Sequence, residues 1–185
     1  MTDPAIFKNI KFVTGNPNKV REAREILGVD LEQVDLPDQY EVQTNEVSVI
    51  VKRKVIQAHQ ALDCPVIVED SGLVFAAWNG LPGALVKWFE NTVGCQGMLK
   101  MLEPFADRTA FAQCYTAFHD GRDIKIAKGE VKGRVSDRLR GDNGFGWDVI
   151  FIPDGHDRTY AEMKAEEKNA ISHRKKAFEA LKNML

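Results

Sequence analysis

The chain has 185 residues, of which 44% are hydrophobic and 28% charged, and its formal net charge is −2. One sizeable core fits that length, and the near-neutral balance excludes a nucleic-acid-binding domain built on a broad basic surface, though not a local basic pocket. Cys64, Cys95 and Cys114 are widely spaced with no CxxC pair, no run approaches the roughly 18 apolar residues of a membrane span, and MTDPAIFKNIKF lacks leader character; a cytoplasmic protein without disulfide framework, zinc site, nucleic-acid partner or membrane partner is expected.

Ile10 to Thr14 reads as a first strand, broken by Gly15-Asn16-Pro17-Asn18. Val20, Ala23, Ile26 and Leu27 then recur at helical spacing until Gly28 closes the helix. A strand-turn-helix junction presents amide groups with partial positive charge, and Lys19 adds a full one, so Thr14 to Lys19 is a candidate anion site as well as an ordinary βα turn. Neither the P-loop nor the dinucleotide glycine fingerprint is present. Leu31 to Leu36 is a weak second strand. An acidic loop leads into a helix from about Asn45 to Leu62, where length and the Ala58, Ala61, Leu62 pattern outweigh the valines' strand tendency.

Pro65-Val66-Ile67-Val68 reads as a short buried strand stopping at Glu69-Asp70-Ser71-Gly72. Two adjacent carboxylates at a strand end suit a hard cation, and an acidic turn would look the same. Because strand neighbours point to opposite faces, one acid should face a cleft while the other braces the loop. Leu81-Pro82-Gly83 is a further turn, and Lys87-Trp88-Phe89 follows at helical distance with a cation and an aromatic surface. After a short helix and the Pro104 break, Thr109–Phe118 and Asp123–Val131 form a hairpin around His119-Asp120-Gly121-Arg122.

Gly144-Phe145-Gly146-Trp147-Asp148 precedes another buried strand, Val149–Ile152. Its glycines allow close backbone approach to a planar ligand and its aromatics offer stacking surface; the same aromatics would serve to pin a loop. Asp148 either accepts hydrogen bonds from a base or orients the loop. Thr159 and Glu162 have capping-box spacing, and Phe178, Leu181 and Leu185 form the apolar stripe of a last helix, with Lys168, His173 and Arg174 clustered before it.

Taken in order, TGNxxK, VEDSG, GLPG with KWF, FGWD and AEMxxxEKNxxSHRxxA resemble the motifs of the inosine triphosphate pyrophosphatase family, from Thr14 to about Ala177. The resemblance implies an α/β fold with a long mixed central sheet flanked by helices and two lobes around an active-site cleft, one domain over 1–185. It implies hydrolysis of non-standard purine nucleoside triphosphates (ITP, dITP, XTP) to the monophosphate and pyrophosphate, in a homodimer. Carried over residue by residue, Thr14, Gly15, Asn16 and Lys19 contact the triphosphate, with Lys54, Ser71 and Lys87. Phe145, Gly146, Trp147 and Asp148 contact the nucleoside, and Lys168, His173 and Arg174 contact substrate. Asp70 and an acid of the preceding loop hold Mg²⁺, with Mn²⁺ as an alternative; Glu41 is the best match by counting back from Lys54, with Asp38 and Glu46 also open. Asp70 and Glu69 are the catalytic acids, and which one activates water stays open. Without the family, Lys52-Arg53-Lys54 is also an ordinary charged helix face. A nucleotide-binding regulatory protein and a phosphatase releasing orthophosphate are the competing readings.

Overall fold

A computed structural model describes residues 7 and 9–185; the amino-terminal stretch judged above for a leader lies mostly outside them. Its elements are β1 (Lys11–Val13), α1 (Pro17–Leu27), β2 (Glu32–Val34), α2 (Val47–Leu62), β3 (Val66–Phe75), β4 (Pro82–Gly83), α3 (Val86–Thr92), α4 (Gly94–Leu102), β5 (Thr109–His119), β6 (Ile124–Val135), β7 (Phe151–Pro153), α5 (Ala165–Ile171) and α6 (His173–Lys182). Among the described residues no helix is long and apolar enough to cross a membrane.

Local chemistry explains most boundaries. The Asn16 side chain caps α1 by accepting from the Asn18 amide, Pro17 supplies a preset first turn, and Gly28 ends the helix in the left-handed region at φ 67°. The last helical segment is cut in two because Ser172 adopts extended backbone and caps α6, accepting from the Lys175 amide at 3.1 Å. Thr159 and Glu162 form half of the expected box, the Thr159 amide donating to Glu162 Oε2 at 2.8 Å, around a single 3-10 turn, while the Thr159 hydroxyl donates to the Arg140 carbonyl. Helix α2 starts at Val47 rather than Asn45, since the Asn45 carbonyl is engaged by the Ala84 amide beyond β4. The second strand is limited to Glu32–Val34, and the strand expected from Val149 begins at Phe151 because Gly146 to Val149 form a 3-10 turn.

The seven strands make one mixed sheet in the order β2-β1-β3-β5-β6-β7, with β4 on β3. Strand β1 runs parallel to β2 and β3, and the remaining pairs are antiparallel. One expectation is corrected here: Glu69-Asp70-Ser71-Gly72 is not a turn ending a short strand. β3 continues through it to Phe75, because β5 pairs with it along the whole length, Glu69 opposite Thr116 and Ser71 opposite Cys114. What ends is β1, whose last partner pair is Val13 with Val68. From Glu69 to Gly72, between the end of β1 and the pairing of Leu73 with Gly83 of β4, that side of β3 is open, and a crevice forms past the carboxyl end of a parallel strand, as in other open α/β sheets.

Two cores sandwich the parallel end. On one face Phe12, Ile67, Phe118, Phe178 and Leu181 pack with α1 and α6; on the other Val13, Val51, Val55, Val66 and Val68 pack with α2. The far ends of β3, β5 and β6 carry a third core of Leu73, Phe75, Met98, Leu102, Phe151 and Tyr160. The long strands thus join two lobes, and the cleft lies between them.

Candidate active site

Strand alternation decides which acid meets which helix. Ile67 faces α1 and α6 while Val66 and Val68 face α2, so with a period of two Glu69 and Ser71 follow Ile67 and Asp70 follows Val68. Asp70 Oδ2 accordingly accepts from Lys54 Nζ of α2 at 2.8 Å. Glu69 Oε1 accepts from Arg174 of α6 at 3.2 Å, from the Ser71 hydroxyl and from Cys114 Sγ at 3.2 Å. Asp70 lines a cleft of about 650 Å³, whereas the Glu69 side chain is buried behind it.

The second acid on Lys54 is Glu41, whose Oε1 stands 2.5 Å from Nζ. Glu41 lines the cleft; Asp38 lines a separate groove, and Glu46 takes the position before the first turn of α2. Lys19 reaches back from α1 to Glu69 Oε2 at 3.3 Å and Asp70 Oδ1 at 3.5 Å. At the α1 junction two amides are already used, Asn16 N–H by Thr14 Oγ1 and Asn18 N–H by Asn16 Oδ1, so the charge of Lys19 outweighs free amides as the anion attractor there.

These contacts form one alternating file of charges along the cleft floor. It runs Glu41, Lys54, Asp70, Lys19, Glu69, Arg174, Glu22, Lys168, Asp148. Burial opposes ionisation of Glu69, but Arg174 and Lys19 overcome it and hold the carboxyl well below its ordinary 4.5. Glu22 is lowered in the same way, burial being outweighed by Arg174 and Lys168. Asp148 shares only Lys168, and burial together with the Glu22 charge leaves it raised above 3.8. Burial of Lys54 is likewise overcome by Asp70 and Glu41, so its ammonium is held firmly charged.

At the other end the FGWD loop curls on itself. Gly144 and Gly146 lie at φ +71° and +60°, and a Cβ on Gly144 would stand 2.3 Å from Asp148 Oδ2. Both glycines serve left-handed backbone; Gly144 packs against Asp148, which accepts from the Phe145 amide at 2.9 Å, and a Cβ on Gly146 would stand 2.5 Å from Glu90 Oε1. Lys168 Nζ and the Arg174 guanidinium carbon lie 4.8 and 5.6 Å from the centroid of the Phe145 ring. His173 packs against Trp147 at 5.2 Å, and both of its ring nitrogens are buried without a hydrogen-bond partner among the described residues. Burial first, then the Arg174 and Lys168 charges, push its pKa well below 6.5, so the ring is neutral and offers one donor and one acceptor.

A sequence profile of the Ham1 family matches residues 10–184. The chain belongs to the Ham1 family. Inosine triphosphate pyrophosphatase of Yarrowia lipolytica is 43% identical over 182 residues, 96% of this chain and 95% of that protein. Inosine triphosphate pyrophosphatase 2 of Trypanosoma cruzi is 42% identical, covering 94% and 90%, and dITP/XTP pyrophosphatase of Saccharolobus solfataricus is 41% identical, covering 91% and 89%. Among solved structures, the Staphylococcus aureus Ham1 protein aligns with a TM-score of 0.81 at 28% identity over 95% of this chain and 97% of that one. A HAM1 protein from Coxiella burnetii gives 0.77 at 31% identity, over 95% and 96%.

In this Ham1-family chain the residues expected to bind substrate fall together. Thr14, Gly15, Asn16, Lys19, Lys54 and Ser71 line one end of the cleft; Phe145, Gly146, Trp147, Asp148, Lys168, His173 and Arg174 line the other. Lys87 lies at the rim, its side chain 74% exposed and 3.9 Å from Glu90. Two carboxylates escaped the sequence reading. Glu22 is buried at 3% exposure beneath the cleft, and the available signal was an acid one turn after Lys19 on a face otherwise turned to the core. Glu90 lines the cleft with Oε1 buried and without a partner among the described residues, and burial followed by the nearby Asp148 raises its pKa despite Lys87. Nothing in KWFENT distinguished it from a solvated helix position.

Proposed function

We propose that this chain hydrolyses non-standard purine nucleoside triphosphates, ITP, dITP and XTP, to the nucleoside monophosphate and pyrophosphate. The observation that carries the reading is one cleft holding a cation-and-carboxylate cluster, Lys19, Lys54, Asp70 and Glu41, at one end and an aromatic loop with buried polar groups at the other. A charged triphosphate suits the first end and a purine the second. The inosine triphosphate and dITP/XTP pyrophosphatase names of the relatives support it.

Asp70 and Glu41 converge on a single cation, the Lys54 ammonium. That donor set fits Mg²⁺, which is commonly held by one or two carboxylates with substrate phosphates completing its shell; Mn²⁺ is an alternative. When bound, the ion would neutralise phosphate oxygens and lower the pKa of a coordinated water.

The protein groups divide the remaining work. Lys19 and Lys54 offset triphosphate charge, and Thr14, Asn16 and Ser71 offer hydroxyl and amide groups at the same end. Glu69 serves as a positioning residue, since its carboxyl is occupied by Arg174, Lys19 and Ser71; Asp70 and Glu41 are the acids facing substrate. Phe145 offers a stacking face. Neutral His173, with Lys168 and Arg174, offers donors to a 6-oxo group. The unbroken β3, β5 and β6 support one domain over 1–185, and the family resemblance supports a cytoplasmic homodimer.

The deciding experiment incubates ITP and GTP with the protein in Mg²⁺, with and without chelator, and resolves pyrophosphate from orthophosphate. Metal-dependent IMP and pyrophosphate from ITP, with GTP much slower, is the expected result, and Asp70→Asn should lose activity by at least about a hundredfold while keeping its circular dichroism spectrum, on the scale of lost electrostatic stabilisation. Orthophosphate as the first product would move the cut to the terminal phosphate. Tight ITP binding without turnover would make the protein a nucleotide-binding regulator.

A further inference from the structure

We infer that Lys54 is the resident cation of the Glu41–Asp70 pair, and that a divalent ion reaches these carboxylates only by displacing it, which makes metal entry depend on the triphosphate. The inference rests on the reading that Glu41 and Asp70 hold the metal. Lys54 Nζ sits 2.5 Å from Glu41 Oε1 and 2.8 Å from Asp70 Oδ2, bridging acids brought from a loop and from mid-strand. An ion as small as Mg²⁺ needs its oxygens at about 2.0–2.1 Å in near-octahedral array. It has no room between the same two oxygens while an ammonium occupies the space between them.

Displacement has a destination only when substrate is present. The Lys54 side chain is 23% exposed, and Asp70, at 17%, also accepts the Ser71 amide at 2.9 Å through Oδ1. Without nucleotide, an ammonium driven off these acids would face Lys19, whose Nζ stands 3.5 Å from the other oxygen of Asp70 and is itself committed to Glu69. With a triphosphate in the cleft, phosphate oxygens replace the two acceptors that Lys54 gives up. The ammonium then passes from carboxylates to phosphate as the ion passes from solvent to carboxylates. Lys54 thereby keeps the acid pair from collecting divalent ions in the absence of substrate.

The test is Mn²⁺ binding without nucleotide, followed by the spectrum of free Mn²⁺ in electron paramagnetic resonance. It compares wild type, Lys54→Met, Lys54→Arg, Lys19→Met, and Glu41→Gln alone and combined with Lys54→Met, each checked for folding by thermal melting. Lys54→Met should bind Mn²⁺ at least about tenfold more tightly than wild type, equivalent to about 1.4 kcal/mol. Lys54→Arg should hold the ion off as wild type does, adding Glu41→Gln should cancel the gain, and Lys19→Met should gain much less. Equal affinity of wild type and Lys54→Met, with Glu41→Gln weakening both, would overturn the displacement while leaving the metal pair intact. Equal gains from Lys19→Met and Lys54→Met would reduce the effect to the general field of the cleft and overturn it too. If Glu41→Gln changed nothing in either background, the ion would lie elsewhere and the metal assignment itself would fall.

Discussion

Replacing Glu22 by Gln removes the anion that Lys168 and Arg174 share. The carboxylate accepts from Lys168 Nζ at 2.8 Å through one oxygen and from the Arg174 guanidinium through the other, with all three side chains no more than 4% exposed. Gln keeps an acceptor for one cation but turns an NH₂ group toward the other, so a buried cation loses its partner and meets a donor. Arg174 retains Glu69 at 3.2 Å and Lys168 retains Asp148 at 2.5 Å, which prevents complete orphaning. Breaking a buried pair from one side costs about 3–5 kcal/mol. At about 2–4 °C per kcal/mol for a chain of this size, the melting temperature should fall by roughly 6–20 °C. Urea denaturation followed by circular dichroism gives the free energy, and a cycle with Arg174→Met gives the pairwise part. A loss below about 1 kcal/mol, the value of an exposed pair, would show that the file of charges is not the buried network argued here.

Acid should unfold the protein through the same groups. Glu22 and Glu69 are depressed below 4.5, so the stability they contribute is complete above that pH and is lost as pH falls toward their folded values; a wild-type stability profile flat from pH 5 to 3 would contradict this assignment. Glu90 has the opposite sign, because its raised pKa means stability present below 4.5 and lost as pH rises through the folded value. Glu90→Gln should therefore raise the melting temperature at pH 7 and leave it nearly unchanged at pH 4, and an equal effect at both would refute the burial argument. Gly144→Ala meets Asp148 Oδ2 at 2.3 Å and forces a side chain to φ +71°. It should cost about 1–3 kcal/mol and raise KM for ITP more than it lowers kcat, because the loop carries Phe145 and Asp148; unchanged KM would detach the loop from substrate binding.

The order of motifs, the α/β class and the candidate residues could all be read along the chain, because each rests on short-range chemistry. Asn16 and Pro17 start a helix, Gly28 ends one, and a run such as Val66-Ile67-Val68 is apolar on both faces wherever it is buried. Alternation even predicted that Glu69 and Asp70 would part ways. The extent of β3 was not legible, since Glu69-Asp70-Ser71-Gly72 has turn composition and is held as strand only by β5, more than forty residues away at Cys114 to Thr116. Counting back from Lys54 favoured Glu41 over Asp38 and Glu46, but loop length leaves such a count ambiguous, and only the fold shows Glu41 paired with Lys54. Glu22 and Glu90 were missed because an acid on an amphipathic helix is by default solvated, and only burial by α5 and α6, or by the FGWD loop, gives it another role. Sequence determined which chemical groups exist and the local turns that present them; tertiary structure decided which charges are buried together, because ion pairing depends on distance and dielectric, and both are set only in the folded chain.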